Sequence, residues 1–407
     1  MTFREVLRLT VMRRVWYAQI VSLLGDFLAL FAVISVVSFR LHGTPAEVSG
    51  VQIAYMLPLA LLGPLSGVFV DRWPLKPTLV GSDLIRAALV ALLFVSTALW
   101  YIYVVLAALS CVSSFFAPAQ SVTIRSHVPR HGLISANALM QMAMMGVRVV
   151  GPAAAGAIVA AFGPTICYSL DAASFVVSAA LIGSVAIVRP PAEPKADGAK
   201  SGVHAVLHEM GEGMRFIVQH PALSFVVLAM AAGLFTIGCF GPLIAVYVRE
   251  WLHARAGTFG IVSAMVGVGM LVGMPMVRRL SAHTSNSLLV LSGLAGIGVG
   301  ALLLGALPFV AAALLATFTC GFAFAGIIVP AQTLMQQETP HALMGRISST
   351  VMSVVVFAQL LGLVLSGVLA QLVGVRAVFF LCAVIAWVLT ASGRLLLSGR
   401  AAAAQPA

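Results

Sequence analysis

Apolar runs of about 20 residues recur along the whole chain, and each is long enough to cross roughly 30 Å of hydrocarbon as a helix. Twelve can be read, approximately 16–40, 46–70, 77–99, 101–124, 135–161, 164–188, 221–248, 256–277, 286–306, 309–331, 344–371 and 374–397. Lipid offers no partner to a bare N–H or C=O, so runs of this length must satisfy their backbone internally. The pattern therefore predicts an all-α membrane protein with twelve transmembrane helices. Composition agrees, since only 9% of the 407 residues are charged and 61% are hydrophobic, whereas a soluble domain is about one quarter charged. Arg4, Arg8, Arg13 and Arg14 precede the first run as in a signal peptide. That run extends from Trp16 to Phe39, too long for a signal h-region, so an uncleaved first helix is expected.

The formal net charge of +11 would point to nucleic acid in a soluble chain, but here its distribution reads as topology, and no nucleic-acid partner is expected. With both termini placed in the cytoplasm, 18 of the 23 basic residues fall on the cytoplasmic side. Only Arg40, Arg249, Arg255 and Arg376 fall outside, with Arg148 left within a span, as the positive-inside rule requires. The five cysteines stand singly in apolar runs, which predicts neither a disulfide framework nor a metal site. No cofactor is expected, and without a Gly-x-x-x-x-Gly-Lys-Ser/Thr stretch direct use of ATP by this chain is not expected either.

The most hydrophilic stretch, "RPPAEPKADGAKSGVHAVLHEMGEGMRFIVQHP" at 189–221, divides the spans into two sets of six. Its Pro/Ala/Lys-rich start reads as a linker and 203–219 as a short surface helix. The expected organisation is a bundle over 1–190, a cytoplasmic linker with its helix over 191–220, and a second bundle with a short tail over 221–407. An internal repeat supports the division: "APAQSVTIRSHVPRHGLISAN" from Ala117 returns as "VPAQTLMQQETPHALMGRISS" from Val329. Parallel repeats of this kind build transporters that work by alternating access.

Several stretches then resemble the major facilitator superfamily, and the resemblance covers essentially the whole chain. "GPLSGVFVDRWPLKP" at 63–77 is similar to its loop signature through Gly67, Asp71 and Arg72. "GVRVVGPAAAG" at 146–156 is similar to the fifth-helix signature of proton-linked exporters through Gly151, Pro152 and Gly156. "SLLGDFL", "GSDLIRA" and "MGRISS" are most similar to the macrolide-efflux and enterobactin-exporter-like branch. Two departures stand out. Trp73-Pro74 follows Asp-Arg where a glycine is usual, and Ala155 replaces the second glycine of the exporter signature. The resemblance implies two pseudo-symmetric six-helix bundles forming a monomer in the bacterial cytoplasmic (inner) membrane. It implies a secondary transporter that exports amphipathic, drug- or macrolide-like small molecules against protons. Export of a siderophore, or movement of a lysophospholipid between leaflets, keeps the same fold. A membrane enzyme should gather convergent nucleophiles and acids, and only isolated polar residues are found; a non-transporting scaffold is the remaining alternative.

Asp26 lies near the middle of the first span, where an aspartate costs roughly 2.5–3.5 kcal/mol on translocon scales. It must meet a partner or a water-filled cavity, and it is the first candidate for proton coupling or substrate contact. Arg148 is the basic residue deep in a span; its guanidinium cannot deprotonate, and an Asp26–Arg148 exchange is the sharpest expectation. Asp171 is a second proton candidate, whereas Asp83 and Arg86, three apart at the start of the third span, read as a local boundary pair. By its position Asp71 should meet the N-terminal end of the eleventh helix near Gly345 and Arg346, making Gly67, Asp71, Arg72, Gly345 and Arg346 gating candidates. The small-residue pairs Gly63/Gly67, Gly269/Gly273 and Gly362/Ser366, with Gly151/Ala155 and Pro152/Gly156 on the fifth helix, allow close helix approach, which the resemblance assigns to contacts of helix 2 with 11 and 5 with 8 between the halves. Gln52, Tyr55, Phe235, Tyr247 and Gln359 are candidates to line a cavity.

Overall fold

Each apolar run is a helix in the computed structural model, which describes residues 1–95, 98–188, 203–340 and 343–403, with the side chains at 64, 68, 203–209, 222, 345–346 and 396–403 excepted. The helices are α1 (Phe3–Arg8), α2 (Thr10–Ser35), α3 (Pro45–Val70), α4 (Leu75–Leu92), α5 (Leu99–His127), α6 (Leu133–Phe162) and α7 (Pro164–Gly183). There follow α8 (Val203–Gln219), α9 (Pro221–Glu250), α10 (Ala256–Leu280), α11 (Asn286–Ala306), α12 (Val310–Glu338), α13 (Met344–Val373) and α14 (Val375–Ala403). Twelve of them, all but α1 and α8, are long and apolar enough to cross a membrane. α8 occupies the expected 203–219, while the linker at 189–202 lies outside the described residues.

Local chemistry sets where the helices begin and turn. α3 starts at a capping box in which the Glu47 N–H donates to Thr44 Oγ1 (3.4 Å) and the Thr44 N–H to Glu47 Oε2 (2.7 Å), with Pro45 in the first turn. The turns α6–α7 and α13–α14 each pivot on one glycine, Gly163 with φ 82° and Gly374 with φ 89°, a conformation that a side chain disfavours. Arg376, just past the second turn, donates to the Gly305 carbonyl (2.6 Å) and lies over the Trp251 ring (4.9 Å), tying that turn to the ends of α11 and α9. The arginine-rich N-terminal stretch folds as α1 on its own capping box. Its Val6 packs with Met12, Val15, Ile124, Val128, Ala136 and Leu139.

The chain forms two compact units, Met1–Glu193 with Ala254–Ala264, and Pro194–His253 with Met265–Ala407. In the first, α2 packs on α6 and α7, and α4 on α5 and α7. In the second, α9 packs on α13 and α14, and α11 on α12 and α14. Corresponding spans thus choose corresponding neighbours, as an internal repeat requires.

Trp73, for which the sequence offered no reading, stacks on Phe115 of α5 (5.3 Å, 25°) and lies 6.0 Å from Phe69. It pins the α3–α4 turn to α5.

Small residues do bring helices together: Gly156 of the fifth span meets the eighth span as the resemblance implies, while the other pairs meet different neighbours or none. A Cβ at Gly63 or Gly67 would meet no described atom within 4 Å. Gly269 and Gly273 press on Phe318, Phe322 and Ala325 of α12, and Gly362 on the Phe235 backbone of α9, so these pairs serve packing inside the second unit. In the first unit the close approach is made by Gly156 of α6 against Gly260 in the first turns of α10, where the Pro152 carbonyl also lies 3.2 Å from a Cβ built on Gly260. Gly156→Val drives a branched side chain into that backbone, with an expected cost of about 1–3 kcal/mol. The thermal unfolding midpoint in detergent should fall below that of wild type and of Gly146→Val, whose site is open; equal midpoints for all three would contradict the close approach.

Candidate functional site

The buried stripe of α4 runs through Leu75, Leu79, Asp83, Arg86 and Val90, steps of four and three that keep one face inward. Two charged residues therefore point the same way as leucine and valine. α7 does the same with Asp171, Ser174, Phe175 and Ser178. On α2, Gly25 precedes Asp26, and a Cβ on Gly25 would collide with Asp171 Oδ1 and Ser174 Oγ. The bare glycine thus lets α7 bring its polar face against the turn of α2 that carries Asp26.

Arg86 is the hub. Its Nη2 bonds Asp83 Oδ1, and its Nη1 stands 4.0 Å from Asp26 Oδ2. Ser178 Oγ donates to the other oxygen of Asp83 (2.6 Å), Tyr55 Oη to Asp26 Oδ1 (3.4 Å), and Ser174 Oγ to Asp171 Oδ1 (3.3 Å). The side chains of Asp83 and Arg86 are 0% and 4% exposed, that of Asp26 14%, so Asp26 is the carboxyl of this pair that solvent reaches. Asp171 Oδ2 is buried with no hydrogen-bond partner among the described residues.

Charge balance defines what such a cluster can do. Three carboxyl groups, Asp26, Asp83 and Asp171, surround one guanidinium. The guanidinium keeps its proton, so full ionisation would leave two negative charges uncompensated in a medium where that is costly. Binding protons relieves the imbalance, and the site is suited to proton exchange.

Sequence expectations meet this geometry unevenly. Asp26, Asp171 and Tyr55 come together, but the cation beside Asp26 is Arg86 and not Arg148. Arg148 is exposed on α6 and makes no ion pair among the described residues. The Asp83–Arg86 pair is not a boundary feature: it sits in the third and fourth turns of α4, fully inside. The signal that could have placed it was the four-and-three spacing from Leu75 to Val90. Gly151 lies against the Phe27 ring, with 3.1 Å to a built Cβ, and Pro152 is interior to α6. Asp71 caps α3, its N–H bonded to the Gly67 carbonyl (2.9 Å), and Arg72 is exposed. The side chains of Gly345 and Arg346 lie outside the described residues. Gln52, Phe235 and Gln359 are half-buried. Tyr247 is not a cavity residue: it is fully buried, its hydroxyl donating to the Leu307 carbonyl (3.3 Å) and its ring 5.5 Å from that of Phe379.

The model of the Major Facilitator Superfamily matches residues 15–359. The chain is 29% identical over 377 residues to the MFS-type transporter YfiS of Bacillus subtilis, covering 90% of this chain and 88% of that one. It is 26% identical to macrolide efflux protein A of Streptococcus pyogenes, covering 90% and 91%, and 26% identical to the multidrug efflux pump Tap of Mycolicibacterium fortuitum, covering 83% and 84%. Among solved structures, the nucleoside transporter NupG superposes with a TM-score of 0.71 over 95% of this chain and 99% of that one, at 12% identity. A bacterial homologue of the human lysosomal transporter Spinster superposes with a TM-score of 0.70 over 97% and 96%, at 12% identity.

Removing the hub cation should be costly, because breaking a buried pair from one side typically costs about 3–5 kcal/mol. Arg86→Gln is expected to lower the thermal unfolding midpoint, and adding Asp83→Asn to recover part of the loss. A single variant as stable as wild type would show that Arg86 does not balance these carboxylates.

Proposed function

Because this chain belongs to the major facilitator superfamily and is a transporter with twelve candidate membrane spans, we propose that it exports amphipathic small molecules of the drug or macrolide kind in exchange for protons, by alternating access. The observation that carries this reading is Asp26: a carboxyl inside a span, partly open to solvent, 4.0 Å from a guanidinium that cannot lose its charge. Ionised, Asp26 is attracted to Arg86 and accepts from Tyr55. Once protonated it loses that attraction, and the helices that carry the two groups can shift. Asp171 is the second proton-binding candidate. Arg148, exposed and without an ion pair among the described residues, is assigned to contact polar groups of the cargo, with Gln52, Phe235 and Gln359 as further contacts. Gly67, Asp71 and Arg72, with Gly345 and Arg346, are assigned to gating, and Gly151, Pro152 and Gly156 to the helix contact typical of an antiporter-like signature.

The efflux proteins among the relatives support the cargo class. The one-sided distribution of basic residues supports a bacterial inner-membrane location with both termini cytoplasmic, and we take the working unit to be a monomer. Proteoliposomes with an acidic lumen should accumulate a radiolabelled macrolide several-fold over gradient-free vesicles, and Asp26→Asn should reduce accumulation to the gradient-free level. Full gradient-driven accumulation by the variant would remove Asp26 from coupling. Wild-type accumulation indifferent to the gradient would remove proton antiport itself.

A further inference from the structure

The transport reading uses Asp26 and Arg86 but leaves unexplained what surrounds the guanidinium. Arg86 Cζ lies 4.5 Å from the centroid of the Phe116 ring and 4.3 Å from that of Phe175. One ring comes from α5 and the other from α7, and both are buried. Attraction between a guanidinium and an aromatic face strengthens when water is excluded. Arg86 Nε has no hydrogen-bond acceptor among the described residues, so the cation is not enclosed by a shell of oxygens, and the two rings occupy that place. On its remaining sides Arg86 is bonded to Asp83, itself held by Ser178 at 2.6 Å, and stops 4.0 Å short of Asp26, beyond hydrogen-bond reach.

We propose that Phe116 and Phe175 are positioning residues: their ring faces hold the Arg86 guanidinium on the Asp83 side and stop it from closing onto Asp26, which leaves Asp26 able to gain and lose a proton. Flexible guanidinium stems otherwise bond every carboxylate in reach, and a cation locked to Asp26 would keep that group ionised. The charged and titratable groups facing Asp26 are Tyr55 of α3, Asp83 and Arg86 of α4, and Asp171 of α7. None of the other three supplies a cation, so the place of Arg86 decides the balance. The inference deepens the proton-antiport reading and rests on it for its purpose, but the geometry can be tested without cargo.

Dicyclohexylcarbodiimide reacts with protonated carboxyls, and its adduct at Asp26 can be resolved from those at Asp83 and Asp171 by peptide mass spectrometry. Purified full-length protein in detergent is labelled across a pH series. In Phe175→Leu and Phe116→Leu the released guanidinium should pair with Asp26, and the labelling midpoint should move about one pH unit or more toward acid, a size typical of a newly close opposite charge. Phe175→Tyr keeps the ring face and should label as wild type. Phe175→Met, unbranched and more adaptable than leucine at about the same volume, should shift as the leucine variant does, and serves if the latter does not fold. Midpoints unchanged in the non-aromatic variants would overturn the proposal and reduce the rings to packing. A shifted midpoint together with gradient-independent wild-type transport would sink proton antiport and leave the clamp standing. Coupled transport with unshifted midpoints would do the reverse.

Discussion

A guanidinium cannot shed its proton inside a bundle embedded in hydrocarbon, so the burial of Arg86 obliges the surrounding helices to supply something to meet it. α4 brings Asp83 three residues away, α2 brings Asp26, α7 brings Phe175 and, through Asp83, Ser178, and α5 brings Phe116. Removing any one of these leaves the others poorly compensated in a medium of low dielectric. The arrangement of four spans in the first unit is therefore tied to one side chain. Gly25 belongs to the same requirement, because a Cβ there would push Asp171 and Ser174 away from α2.

The second unit repeats the scaffold without the chemistry. Measured from the glycine that turns each half into its last span, Asp171 stands eight residues past Gly163 and Cys382 eight past Gly374; Phe175 and Ala386 correspond likewise at twelve. Cys382 is buried, and Ala386 belongs to an apolar cluster with Leu294, Ile297 and Phe324. Duplication kept helix neighbours and turn glycines, which packing and backbone geometry demand, while the ionisable cluster exists on one side alone among the described residues. Ionisable groups are expensive inside a membrane, and the second unit is spared the cost of such a cluster.

The spans, the internal repeat and the surface helix at 203–219 were legible because they depend on length and hydropathy, which are one-dimensional properties. Asp26 and Asp171 were legible as exceptions to apolarity. The partner of Asp26 was not: Arg148 lies in the middle of a span and Arg86 nearer an end, and position along the chain does not distinguish an inward arginine from a boundary one. Only the inward face of α4, running from Leu75 to Val90, shows that Arg86 belongs to the interior. Gly156 did meet the eighth span, but the other glycine pairs went elsewhere for a similar reason. Spacing shows that a helix has a small face but not which neighbour meets it, and Gly269, Gly273 and Gly362 meet α12 and α9 of their own unit.

Helix number and the presence of costly intramembrane carboxyls were determined by the sequence alone, since each follows from the free energy of moving particular residues from water into lipid; family membership was legible in short motifs and the internal repeat. Which cation balances Asp26, why Trp73 replaces a customary glycine, and what holds Arg86 in place were decided by tertiary structure. Those depend on side chains more than 25 residues apart, such as Asp26, Asp83, Phe116 and Phe175, meeting through the rotation of each helix about its axis. That rotation is set by packing summed over whole helices and leaves no mark at any single position.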